Sequence, residues 1–106
     1  QISCTIDSVS LGWSGRRLAP DLEEVLTHAS YFFYGEKLAC MGEGAGIPFV
    51  NMMATRFPEA TLVVTGLLGP ESNAHGPNEM LYIPAAKALT GSMAVLLASL
   101  AVRQTA

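Results

Sequence analysis

The sequence predicts an α/β fold, with helices packed on a mostly parallel sheet. Three observations predict it. Apolar patterns of period two and of helical period alternate along the chain, in the order strand, helix, short strand, helix, strand, long loop, helix. Thr61 to Thr65 (Thr-Leu-Val-Val-Thr) is a continuous apolar run of the kind buried on both faces of a parallel sheet. The glycine-rich turn after Met41 and the long loop after Thr65 both follow runs read as strands, the place where functional loops leave such sheets.

Each element has its own local warrant. Ile2, Cys4 and Ile6 alternate with Ser3, Thr5 and Asp7, the signature of a half-buried strand. Ser8 to Gly15 reads as a connection. Pro20 stands where a first helical residue would, and Asp21, Glu23 and Glu24 place negative charge at the positive end of the helix dipole. Leu22, Val25, Leu26, Ala29 and Phe33 recur at helical spacing, and Gly35 is the C-terminal cap. Leu38 to Met41 is a short apolar run ending in Gly42-Glu43-Gly44-Ala45-Gly46. Ile47 and Pro48 open a second helix, with Phe49, Met52, Met53 and Phe57 as its stripe and Pro58 as its stop. A helix from roughly Ala85 to Val102 ends the chain, with Leu89, Met93, Leu96, Leu97 and Leu100 on its inner face.

Composition narrows the function classes. The chain has 106 residues, room for one small domain. Half are hydrophobic and 14% are charged, more apolar than a free-standing domain of this size needs. The excess predicts a surface that meets another part of a larger protein. A net charge of -3 and scattered Lys and Arg residues argue against a nucleic-acid partner. Cys4 and Cys40 have no CxxC partner and so form no zinc ribbon; they read as two buried free thiols, with a single disulfide as the alternative. The first residues lack a signal peptide's basic start and apolar core, and a chain that begins inside a strand-like pattern looks truncated. Ala88 to Val102 is almost uncharged, but at about 15 residues it is shorter than the ~18–20 that cross a bilayer. A buried helix of a soluble protein, with no membrane partner, is the expectation. Trp13, Phe32 and the methionines read as packing, and His28 as a surface residue.

The loop Gly69-Pro70-Glu71-Ser72-Asn73-Ala74-His75-Gly76-Pro77-Asn78-Glu79 is unusually polar for so apolar a chain. Its histidine suits a neutral imidazole metal ligand. A helical metal pair of His75 and Glu79 is disfavoured by Gly76 and Pro77. The glycine turn has a different chemistry, because successive backbone N–H groups at a helix start make an anion site.

That loop closely resembles a signature of the metallopeptidase family that includes aminoacylase, carnosinase and cytosolic non-specific dipeptidase. The resemblance extends to Ala29-Ser30 with Phe33-Tyr34-Gly35, to Met41 through Phe49, to Phe57-Pro58 and to Val64 through Pro70, and covers about residues 8 to 100 in order and spacing. It implies a zinc exopeptidase-like catalytic domain with two zinc ions and a separate lid. Residues 1–14 would be the end of the lid (dimerisation) domain, a returning strand and its connection. Residues 15–106 would be the C-terminal part of the catalytic domain. His75 falls on the family's C-terminal metal-binding histidine. Glu43, Gly44, Ala45 and Gly46 fall on its substrate-binding loop, and Asn78 and Glu79 on an Asn-Glu pair that shapes the loop behind the metal.

The implied activity is hydrolysis of a peptide or amide bond in a dipeptide or N-acyl amino acid, in the cytoplasm. Two metals polarise the scissile carbonyl and supply hydroxide in such sites. The family's His-x-Asp pair, its Glu-Glu pair with the general base and a further acidic ligand have no counterpart here, so no catalytic residue is assigned. The implied partners are the missing N-terminal part of the catalytic domain and, where the lid allows it, a second copy. Two positions depart from the family: Ala45 replaces a glycine, and Gly46 replaces a serine or threonine whose hydroxyl would donate to substrate. An alternative expectation is therefore a degenerate pseudoenzyme or interaction module. A small membrane-associated protein is a third, resting on the apolar C-terminal helix alone.

Overall fold

The computed structural model describes residues 2–6, 12–42 and 46–104. They hold three helices: α1 (Pro20–Tyr34), α2 (Pro48–Arg56) and α3 (Ile83–Gln104). The chain divides into two compact units, one of Gln1–Arg17 with Met41–Val63, the other of Leu18–Cys40 with Val64–Ala106.

No strand forms among the described residues, so the expected α/β fold with its parallel sheet is wrong. The reason lies in what a strand needs. An alternating or continuous apolar run becomes a strand only when a second segment takes its N–H and C=O groups. Among the described residues Ile2–Ile6, Leu38–Met41 and Thr61–Thr65 find no such partner. Ile2 is 100% exposed, and Ile6 and Val64 are exposed as well. The expected returning lid strand is therefore absent over 2–6, and Asp7 and Ser8 lie outside the described residues. The boundary between the two units falls inside Thr61–Thr65.

The second unit is built on α1 and α3. Pro20 opens α1 behind Ala19, whose carbonyl accepts the N–H groups of Leu22 and Glu23 at 3.0 Å each. Asp21 and Glu23 stand in the first turn. Gly35 ends the helix at φ 74, where a side chain would be strained, and donates its N–H to the Tyr31 carbonyl at 3.0 Å. The expected apolar face is the observed one: Leu22, Leu26 and Ala29 are buried. Leu22 and Leu26 meet Leu96 of α3, with Leu18, Val25, Leu38 and Met93 packed around them. The Phe33 ring lies against Gly91 of α3, so close that a Cβ added there would clash with Cζ. The Tyr34 hydroxyl reaches the Ala85 carbonyl at 3.5 Å.

The last helix departs from its expected form. It runs over Ile83–Gln104, 22 residues, and starts before Ala85. Its apolar stretch Ile83–Val102 is 20 residues long, and 11% of it is buried. At ~1.5 Å per residue it spans about 30 Å, the thickness of a bilayer core. Length therefore does not separate α3 from a membrane span, and it is not the buried helix expected. Ser92 and Leu96 are buried, whereas Leu97 and Leu100 face solvent rather than the interior. Thr90, Ser92 and Ser99 return their hydroxyl protons to the carbonyls of Ala86, Ala88 and Leu96, so none of the three is left wanting a partner.

In the first unit, Pro48 opens α2 after Ile47, and the Phe57 N–H closes it on the Met53 carbonyl at 2.9 Å. Pro58 follows as the stop. The expected stripe buries nothing: Phe49, Met52 and Phe57 are all exposed. Phe32 and Met41 are exposed rather than packed. Cys4 and Cys40 are free, as read, but exposed rather than buried.

Candidate metal-ligand loop

The loop that carries His75 is two β-turns in series. Gly69-Pro70-Glu71-Ser72 is the first, closed by the Ser72 N–H on the Gly69 carbonyl at 3.2 Å. Proline suits the second place of such a turn, and the third place here, Glu71, has φ 65. Asn73-Ala74-His75-Gly76 is the second, closed by the Gly76 N–H on the Asn73 carbonyl at 2.9 Å. Its third place is His75, with φ 62. Asn73 (φ 51) and Asn78 (φ 59) are also left-handed. Asparagine tolerates this region well. For Glu71 and His75 it is a place where glycine would sit at less cost.

The two turns are locked to each other. Ser72 is 3% exposed, and its Oγ accepts the Gly69 N–H at 2.8 Å. Its carbonyl accepts the Met80 N–H at 3.1 Å, which ties the far end of the loop back to the first turn. The Asn73 side-chain amide donates to the Pro77 carbonyl. The His75 N–H donates to a Glu79 carboxylate oxygen at 3.3 Å. Glu79 thus engages the histidine's backbone and shapes the turn, while no helix joins the two residues.

The predicted site residues fare differently. His75, Asn78 and Glu79 share the loop, and all three are exposed. Glu43, Gly44 and Ala45 lie outside the described residues. Gly46 belongs to the other unit; it is exposed, and an added Cβ would meet nothing within 4 Å. Ser72 and Asn73 carry more of the loop's bonding than the sequence reading gave them. The available signal was Gly-Pro-x-Ser followed by Asn-x-x-Gly, two successive turn patterns.

An exposed imidazole on a fixed backbone suits one position in a zinc ligand set. Zinc needs at least three protein ligands. Among the described residues no three His, Cys, Asp or Glu side chains converge on one point, so these residues do not by themselves make up a zinc ligand set. No protein-family model matches the chain, and no curated protein matches it at a significant level.

Proposed function

We propose that this chain is a segment of a zinc-dependent dipeptidase or related amidohydrolase, and that it contributes His75 as one metal ligand. The observation that carries the reading is the loop from Gly69 to Met80. It is closed on itself by hydrogen bonds, and it places a histidine, rather than glycine or asparagine, at a left-handed position with its ring in solvent. An unfavourable backbone state kept at a residue with useful chemistry points to function. The motif from Ser72 to Glu79 names the class of function, as the resemblance implies.

Zinc, when bound, would polarise the scissile carbonyl and supply hydroxide near neutral pH. The part of this chain is narrower. His75 donates a ring nitrogen, Glu79 holds the His75 N–H, and Ser72 keeps the loop ends together. The general base and the remaining ligands would come from the rest of the protein, so the 106 residues alone should not hydrolyse peptides.

The test is made on the chain joined to the upstream part of its reading frame. His75→Asn keeps a residue that tolerates the left-handed state and removes the imidazole. Zinc content should fall, and hydrolysis of a dipeptide panel should drop at least a hundredfold, while the fold persists. Full activity with full zinc occupancy would show that His75 is not a ligand and remove the main support for a peptidase.

A further inference from the structure

We propose that Asn73 is a positioning residue for His75, acting as a side-chain strut across the second turn; this rests on reading His75 as a metal ligand. Residue 73 engages both residues that follow the histidine. Its carbonyl takes the Gly76 N–H at 2.9 Å, and its side-chain amide donates to the Pro77 carbonyl. His75 therefore lies within a bonded ring that starts two residues before it and closes one and two residues after it. From the other side, the Glu79 carboxylate takes the His75 N–H at 3.3 Å.

The chemistry at position 73 is specific. The residue must sit at φ 51, which asparagine and aspartate tolerate best. It must also donate from its side chain, which asparagine does and an ionised aspartate cannot. Aspartate would instead set a carboxylate against the Pro77 carbonyl oxygen. Position 76 is bound to the same device. A Cβ at Gly76 would lie 2.7 Å from Asn73 Oδ1 and 2.8 Å from Nδ2, so only glycine leaves the strut its place. Gly76 itself has no positive φ, and its requirement comes from this contact alone. Asn73 and Gly76 thus form an interlocked pair whose product is the placement of His75.

Hydrogen exchange read by mass spectrometry on the 106-residue chain tests the strut, and tolerates association of the sample. Asn73→Asp should speed exchange of peptides covering 70–80 by about tenfold, the worth of one lost hydrogen bond with an added repulsion. Peptides of α1 and α3 should not change. Gly76→Ala should have the same local effect by displacing the amide. The double variant should be no faster than either single one, because both break one device. Unchanged loop exchange in Asn73→Asp would overturn the proposal. So would additive effects, or acceleration that spreads equally to both helices. In the longer protein, Asn73→Asp should raise the zinc dissociation constant about tenfold with His75 intact. A looser loop with unchanged zinc affinity would also overturn it. If His75→Asn left zinc affinity unchanged, the metal reading would fail by itself, distinguishably from the exchange result.

Discussion

Gly46 is the residue at which a gain of function can be asked for. It is exposed, it has no positive φ, and an added Cβ meets nothing within 4 Å. Gly46→Ser should therefore leave stability within about 0.5 kcal/mol of the parent. In the longer enzyme proposed above it would supply a hydroxyl where the resemblance places the substrate carboxylate. One added hydrogen bond is worth about 1 kcal/mol, so KM should fall about fivefold with kcat little changed. Steady-state kinetics on dipeptides checks this; an unchanged KM would mean that residue 46 does not face substrate. Single residues were unevenly legible. Gly35, Pro20 and Pro48 announced their roles because capping depends on a few neighbouring atoms. The left-handed states of Glu71 and His75 were not legible, because neither residue type favours them as glycine does. They follow from two turns closed in series by Ser72 and Asn73, and from the Met80 N–H that ties the loop end back.

At the scale of elements, the contact of Phe33 with Gly91 sets how α1 meets α3. Two effects oppose each other in Gly91→Ala. Alanine is the better helix former by about 1 kcal/mol. Its Cβ, however, would clash with Phe33 Cζ, and the ring, half-buried and edge-to-face with Phe32 at 4.8 Å, must move. Overpacking costs about 1–3 kcal/mol, so the clash should win and α1 and α3 should exchange faster with solvent. With Phe33→Leu already in place, the clash is relieved and Gly91→Ala should slow exchange instead. The same sign in both backgrounds would show that the ring does not set the spacing. The helices were legible for a related reason. Their apolar positions, caps and proline stops are written within one segment, and α1 and α2 begin and end where that pattern says. The expected strands were not realised because strand pairing is a property of two segments. Ile2–Ile6 and Thr61–Thr65 carry β-type residues, but among the described residues nothing takes their backbone groups. For α3 the extent differs little, since the helix starts at Ile83 rather than Ala85 and runs to Gln104 rather than Val102. The larger difference is that most of its apolar stretch is exposed, because burial depends on a second surface that one segment does not contain.

For the whole molecule, the balance between core and surface decides behaviour in solution. Among the described residues the buried apolar ones are Leu22, Leu26, Ala29 and Leu96, and all belong to one unit. Against them stand exposed Phe32, Phe49, Leu68, Leu97 and Val102, together with most of the 20-residue apolar stretch of α3. So small a core does little to offset the entropy of ordering the chain, and apolar surface of this extent is normally covered by a partner. The first unit buries no residue of α2 at all, so it has little reason to melt together with the second. The chain alone should therefore self-associate at micromolar concentration and lose its helicity over a broad temperature range. Light scattering and circular dichroism melting make the measurement, with a mild nonionic detergent as a second condition. Detergent should disperse the assemblies while keeping the α1 and α3 helicity, since it replaces a partner for the same apolar faces. A monomer with one sharp cooperative transition would contradict this. It would mean that the exposed apolar surface needs no cover, and that these 106 residues are sufficient by themselves rather than a segment of a larger enzyme.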